Sequence, residues 1–169
     1  MIAIQCTKKL ATELDIHLLS EKPEYVNPLY SWHAHLFSFK RRKCLLVMNN
    51  ETRYNFVIFG LVKADCKRFG ELIKKQISDN LLADGLKEAW IDKYLQYSEN
   101  VSYTPTSDRS ILSQINEMIV VAKYEMEGNI VETGDPEINQ VNRMLNRYVF
   151  LKLPKLYSGE TMYDALQNI

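Results

Sequence analysis

Short apolar runs alternate with short polar segments in the first third of the chain, and this pattern predicts strands. The apolar runs are residues 31–39, 44–48 and 54–61. They are rich in aromatic and β-branched side chains, and the segments between them are charged or rich in Asn, as is typical of hairpin connections. The pattern predicts a three-stranded antiparallel meander over residues 31–61.

Two shorter segments predict further strands. Residues 2–6 alternate between Ile or Cys on one side and Ala or Gln on the other, which gives an extended chain one apolar face. Residues 101–104 alternate in the same way and end at Pro105, which cannot donate to a strand ladder. We therefore expect an N-terminal strand and a brief late strand in addition to the meander.

Much of the remaining chain has apolar residues at helical spacing. The first predicted helix begins after Thr7. Four further helices are predicted at residues 69–81, 86–97, 111–126 and 138–148. Thr7 and Asp108 are suited to cap helix N-termini, and Gly85 is suited to a left-handed stop. Asp135 followed by Pro136 predicts an N-cap with Pro at the first helical position.

Two segments are less regular. Residues 17–28 have no period and contain two prolines, so they predict a surface loop. The tail, residues 151–169, has Pro154 before a short helix that would carry Met162 and Leu166, and the pattern does not determine how this tail docks.

Together these elements predict a single α+β domain covering residues 1–169. We expect a small, mainly antiparallel sheet made of the meander and the N-terminal strand, with residues 101–104 as a fifth strand. Helices packed on one face of this sheet would give a two-layer sandwich.

The balance of charged residues excludes a strong long-range electrostatic field around the protein. The 169 residues are 46% hydrophobic and 25% charged, which is normal for a globular domain. Lys and Arg number 21, as do Asp and Glu. Any attraction to nucleic acid or to an anionic membrane would therefore have to be local.

The cysteines and the apolar runs indicate a cytoplasmic protein. Cys6, Cys44 and Cys66 are odd in number and lack Cys-x-x-Cys spacing, so we expect reduced thiols. The N-terminus has no apolar segment typical of a signal peptide, and no apolar run approaches the roughly 20 residues of a membrane span. We expect no membrane association.

His33 and His35 form the only close pair of candidate metal ligands. On a strand they share one face, about 7 Å apart along the backbone. Zinc needs a third and usually a fourth ligand, and Cys44 or His17 would join only if the fold brought them close. We expect no metal and no cofactor.

The residues best suited to an anionic ligand lie in the meander and at the start of the 111–126 helix. Guanidinium groups match phosphate oxygens, and a helix N-terminus offers free backbone N–H groups. The predicted ligand-binding residues are Trp32, His33, Arg41, Arg42, Arg53, Arg109 and Asn116. We therefore expect a binding or interaction module for an anionic ligand or nucleic acid. A protein partner is a further option, and the sequence does not determine the oligomeric state.

Simpler roles and one enzymatic role remain open. Residues 40–43 suit a solvated hairpin tip that discourages edge pairing, and residues 106–110 suit a helix N-cap alone. Alternatively, His33 is the general acid/base of a small metal-independent hydrolase or ribonuclease in which arginines stabilise the phosphate. Stacking of single-stranded bases would require exposed rings beside the basic turn. The candidate rings are Tyr30, Phe37, Phe39 and Tyr54.

Four motifs resemble a bacterial family of small proteins catalogued as a domain of unknown function. They are IQCTKKL at 4–10, NPLYSWHA at 27–34, RRK at 41–43 and DRS at 108–110 together with Asn116. The resemblance covers most of the chain up to the 111–126 helix. In some members the domain precedes a plasmid-type ORF-3-like domain, which implies a link to mobile elements. The family pattern commonly has Asn where His35 stands and Gly where Ser113 stands, and it implies no established activity.

Overall fold

A computed structural model describes residues 1–18 and 26–169 of the chain. Its strands are β1 Ile2–Cys6, β2 Ser31–Phe39, β3 Arg42–Asn49, β4 Asn55–Phe59 and β5 Val101–Pro105. Its helices are α1 Lys8–Leu14, α2 Lys63–Cys66, α3 Phe69–Ala83, α4 Glu88–Leu95, α5 Arg109–Gly128, α6 Ile138–Leu145 and α7 Ser158–Gln167. Residues 19–25 of the predicted 17–28 loop lie outside the described residues. None of the described helices has both the length and the apolar character needed to cross a bilayer.

The strands form one mixed sheet in the order β4–β3–β2–β1–β5. The β2, β3 and β4 strands are antiparallel, which confirms the predicted meander. However, β1 is parallel to both β2 and β5, so the sheet is mixed and the antiparallel prediction is confirmed for the meander but not for β1. Parallel neighbours cannot be joined by a tight hairpin turn, and α1 lies in the connection between β1 and β2.

Helices cover both faces of the sheet, so the prediction of a two-layer sandwich with helices on one face was wrong. Residues of α1, α3, α4 and α7 join one apolar cluster, and residues of α5 and α6 join the other. In β3, residues 44–48 are all fully buried, with odd-numbered residues in the first cluster and even-numbered residues in the second. A strand that is apolar on both faces must be covered on both. The result is an α+β fold with three layers.

Trp32 and His33 point to opposite faces of β2, as the alternation of strand side chains predicts. Trp32 is 0% exposed within the first cluster, and its indole N–H donates to the hydroxyl of Tyr94 at 3.0 Å. Tyr94 in turn donates to the carbonyl of Leu29 at 2.6 Å. Trp32 is therefore a core residue with its polar atom satisfied, and its predicted role in ligand binding is not supported.

Several helix ends differ from the prediction. Glu137, rather than Asp135, is the N-cap of α6, because its carboxylate accepts a backbone N–H of the first turn at 2.6 Å. Pro136 instead takes part in an isolated β-bridge, which keeps it extended. Tyr97 and Tyr148 lie beyond the ends of α4 and α6. Both predicted buried stripes were therefore too long.

Asn142 of α6 and Asn146, the C-cap of this helix, lie one turn apart and close the β4 edge of the sheet. Asn142 accepts the N–H of Val57 at 2.7 Å and donates to its carbonyl at 3.1 Å. Asn146 makes the same two bonds to Asn55, at 2.9 and 2.7 Å. Each side-chain amide replaces the backbone of a neighbouring strand, so this edge is closed to pairing with another chain.

The tail ends in a docked helix. In α7, Met162 and Leu166 are 0% and 1% exposed and belong to the first apolar cluster. A Cβ on Gly159 would lie 3.1 Å from the carbonyl oxygen of Asn146, so α7 starts in close contact with the end of α6. This close approach forms one wall of a cleft considered below.

Candidate anion-binding site

The β2–β3 turn holds two cations in an unfavourable backbone conformation. Phe39 pairs with Arg42, so Lys40 and Arg41 form the entire loop. Their φ angles are 45° and 65°. Two-residue hairpin loops require this left-handed conformation, but Asn-Gly or Asp-Gly normally supplies it. For a residue with a long side chain, this backbone conformation costs about 1–2 kcal/mol. The turn is therefore less stable with Lys40 and Arg41 than it would be with Asn and Gly.

A cleft of about 330 Å³ lies beside this turn, and half of its described lining is basic. We call it the basic cleft. Its described lining residues are Glu13, Arg41, Arg42, Lys43, Leu61, Val62, Lys63 and Cys66. The N–H of Leu61 donates to the carbonyl of Lys43 at 2.8 Å, which brings the chain before α2 next to the turn. Four cationic side chains and one carboxylate therefore share one concave surface.

Arg42 is held in place by its surroundings. Its guanidinium carbon lies 4.9 Å from the ring centroid of Phe59 and a guanidinium nitrogen lies 3.9 Å from the carboxylate of Asp135. Gly60, with a φ of 73°, leaves room for it, because a Cβ there would lie 2.4 Å from Nη2 of Arg42. The cation–π contact and the pairing with Asp135 together orient the guanidinium.

Two cations of the basic cleft have no counter-ion within the described part of the chain. Lys43 is paired with Glu13, whereas Arg41 and Lys63 are exposed and join none of the described ion pairs. Sequence analysis did not single out Lys63. The predicted β3–β4 hairpin contained a signal that could have identified Lys63, because antiparallel pairing returns the chain after β4 to the level of Lys43.

His33 lies elsewhere, in a polar network between β1, β2 and the start of α5. It is fully buried, and its Nδ1 lies 2.7 Å from Oδ1 of Asn50. Asn50 donates to Oε1 of Gln5 at 2.7 Å, and Gln5 donates to the hydroxyl of Ser107 at 3.2 Å. A pocket of about 240 Å³ borders this network, and Asp108 is the one charged residue of its described lining. This pocket therefore presents no described cation to an anionic ligand.

Arg53 is close to the same network but is used by the protein itself. Its guanidinium donates to Gln114 of α5 and to the carbonyl of Asn50. Burial lowers the pKa of Arg53, and Asp108 opposes that shift. Asp108 also caps α5 by accepting a backbone N–H at 2.8 Å, as its predicted N-cap role requires. Arg53 thus anchors the β3–β4 turn to α5.

The seven predicted site residues do not converge. His33 is six strand positions from the end of β2 at the basic turn, about 20 Å at 3.3 Å per residue. Arg41 and Arg42 line the basic cleft, whereas Arg53 lies at the opposite end of β3. Arg109 and Asn116 are exposed on α5 and line none of the clefts described here.

Reactive groups are scarce around the basic cleft. Its described lining has no histidine, and burial raises the pKa of the Cys66 thiol. Burial also raises the pKa of Cys44, and it raises that of Cys6 to about 12. No described group of three His, Cys, Asp or Glu side chains has the arrangement of a metal site. The described lining of the cleft therefore consists of four cations, one carboxylate, two apolar side chains and a thiol whose pKa is raised.

The rings that would stack on bases are engaged within the protein. Phe37, Phe39 and Tyr54 are 6%, 5% and 0% exposed. Tyr30 stacks on Tyr94 with ring centroids 4.7 Å apart. An exposed stacking platform beside the basic turn is therefore not formed by these four candidate residues.

Comparison with known protein families confirms the resemblance found in the motifs. The family model described as "Domain of unknown function (DUF6933)" matches residues 3–159. The match continues past the third long helix, where the motif resemblance ended, and reaches the start of α7. No curated protein matches the chain. Since the family model covers most of the sequence, the chain belongs to this domain of unknown function family.

Proposed function

We propose that the protein binds nucleic acid through the basic cleft, by contacts with phosphate groups. One observation carries this proposal: the side chains of Arg41, Arg42, Lys43 and Lys63 surround a single cleft in which Glu13 is the one described carboxylate. Guanidinium and ammonium groups donate charge-assisted hydrogen bonds to phosphate oxygens. A polyanion also gains by releasing counter-ions when several cations replace them.

The backbone of the turn supports a functional reading of its side chains. Lys40 and Arg41 occupy a conformation that Asn and Gly adopt at lower cost. Strain that persists at an exposed turn motivates a functional hypothesis. A solvated hairpin tip alone would not require long cations at these two positions.

The expected mode of binding is contact with the backbone rather than with bases. The aromatic rings next to the turn, Phe37 and Phe39, are buried and do not form a stacking surface. Phosphate contacts position a protein on nucleic acid but carry no sequence information directly. We therefore expect weak discrimination between sequences.

The sharpest test is Arg41→Gly. This change removes a cation from the basic cleft and relieves the left-handed strain, so binding and stability should move in opposite directions. Relief of about 1–2 kcal/mol, less the greater freedom that Gly gives the unfolded chain, leaves a gain of about 0.5–1 kcal/mol. Affinity for a fluorescently labelled DNA or RNA duplex should fall several-fold in an anisotropy titration.

The turn supplies its own matched control in Lys40→Asn. Lys40 has the same strained backbone but pairs with Glu127 at 3.7 Å and does not line the basic cleft. Lys40→Asn should therefore stabilise the protein while largely preserving affinity. Equal losses of affinity in both variants would indicate a general charge effect, and undetectable binding by the wild type would refute the proposal.

A further inference from the structure

A second large cleft lies at the other end of the sheet, between α6, α7 and the chain that links α3 to α4. It has a volume of about 700 Å³, which suits a small organic ligand. Its described lining residues are Asp84, Leu86, Arg143, Asn146, Arg147, Lys155, Tyr157, Gly159, Glu160, Tyr163 and Asp164. We call it the α6–α7 cleft. Three cations and three carboxylates line it, so its charges balance.

The innermost charges of this cleft are committed to each other. Arg143 and Asp84 form an ion pair at 2.8 Å, and their side chains are only 11% and 16% exposed. Tyr54 donates its hydroxyl proton to the second oxygen of the Asp84 carboxylate. The guanidinium of Arg143 also donates to Asn80 at 2.6 Å and to Asn139 at 2.8 Å. These groups form a fixed polar wall.

The pKa of Asp84 reflects its burial and its contacts within this polar wall. Burial raises the pKa of Asp84, while Tyr54, Arg143 and Arg147 each oppose the rise. A carboxylate kept in a partly buried position, with both oxygens engaged, is a structural support for the cleft rather than a free ligand-binding group. Arg147 is near enough to interact with it electrostatically.

On the rim, one further ion pair leaves two charged residues outside the described ion pairs. Lys155 lies 3.4 Å from Asp164, so both have a counter-ion. Arg147 and Glu160 are the remaining charged residues of the lining, and neither joins an ion pair within the described residues. They are opposite in sign and come from the end of α6 and the first turn of α7.

The rest of the lining offers an apolar contact surface. Tyr157 and Tyr163 are 37% and 38% exposed, and Tyr163 also contacts Trp90 edge-on with ring centroids 5.2 Å apart. Leu86 adds an aliphatic side chain from the α3–α4 connection. Arg147, Glu160 and these rings line the same cleft, so the cleft combines one charge of each sign with aromatic surface.

We infer that the α6–α7 cleft binds a small zwitterion of the amino-acid class, with its carboxylate on Arg147, its ammonium on Glu160 and an apolar side chain against Tyr157 and Tyr163. The inference is independent of the basic cleft, which lies at the opposite end of β3. A ligand with a single charge would leave one of the two rim groups unmatched.

Three related probes test this assignment by calorimetry and by NMR titration. They are L-phenylalanine, phenethylamine, which lacks the carboxylate, and 3-phenylpropionate, which lacks the ammonium. L-Phenylalanine should bind about tenfold more tightly than either analogue, as expected for loss of one charge-assisted contact. Equal affinity for all three, or no binding of L-phenylalanine, would overturn the inference.

Two charge-neutralising variants assign the ends of the ligand. In Arg147→Gln, L-phenylalanine should bind no better than phenethylamine. In Glu160→Gln, it should bind no better than 3-phenylpropionate. Lys152→Gln and Glu132→Gln remove exposed charges outside the cleft and should leave all affinities unchanged. If Arg147→Gln and Glu160→Gln also bind L-phenylalanine like the wild type, the assignment is wrong.

Discussion

A single histidine on β2 makes stability depend on pH. The Nδ1 atom of His35 is buried and has no hydrogen-bond partner among the described residues. Burial lowers the pKa of His35 from its ordinary value of 6.5, and the positive charge of Lys9 lowers it further. At this residue the unfolded state therefore binds more protons than the folded state below pH 6.5, and the contribution of His35 to the free energy of unfolding falls as the pH is lowered.

His35→Asn should remove this part of the pH dependence. The slope that one such histidine adds is at most about 1.4 kcal/mol per pH unit, and it ends below the folded-state pKa, where both states are protonated. Urea unfolding of wild type and variant between about pH 5 and 7 measures it. His17→Asn, which removes an exposed histidine, is the control. If the free energies of unfolding of wild type and His35→Asn change in parallel with pH, His35 does not contribute to the pH dependence.

At the scale of elements, the asparagine pair of α6 predicts a large effect from a small change. Asn142→Asp keeps the size of the side chain but cannot donate to the carbonyl of Val57, and it places a carboxylate in a fully buried site. We expect a loss of about 2–4 kcal/mol in the free energy of unfolding by urea denaturation. Asn139→Asp is the matched control, since Asn139 is exposed and only accepts a bond from Arg143. Similar stability of the two variants would show that the edge does not depend on this amide.

The meander was predictable because its signals are local. Residues 31–39 were predicted and observed as one strand, since its alternation and its turn lie within a few positions of each other. The parallel pairing of β1 with β5 was not predictable in this way, because about 100 residues separate Ile2 from its partner Val101. The continuous apolar run at 44–48 did contain a signal for three layers, since a strand covered on one face only should alternate.

Across the whole molecule, the seven predicted site residues lie at separate places. The type of a residue indicates its chemistry but not where the fold places it. Arg41 and Arg42 were predicted to form an anion site together with Arg53 and Arg109, and the structure places Arg41 and Arg42 at one cleft. Arg53 has the same side chain, yet its guanidinium is used to anchor the β3–β4 turn. Arg147 gave no sequence signal, because its significance depends on α7 docking beside α6. Charges that act through long-range packing cannot be identified from local pattern alone.

The distribution of charge over the molecule leads to a prediction about salt. Positive and negative residues number 21 each, so a long-range field should contribute little to binding of a polyanion. Contacts in the basic cleft should then determine how the affinity for a polyanion depends on salt concentration. Because Lys43 is paired with Glu13 and Arg42 with Asp135, the two cations without a described counter-ion predict about two phosphate contacts and a slope of about −2 for log K against log salt on duplex DNA. Arg41→Gly should reduce the magnitude of this slope by about one, whereas Lys40→Asn should leave it unchanged. Anisotropy titrations over a series of salt concentrations measure both slopes. A slope near zero, or the same slope in Arg41→Gly as in the wild type, would show that the cations of the basic cleft do not contact phosphate.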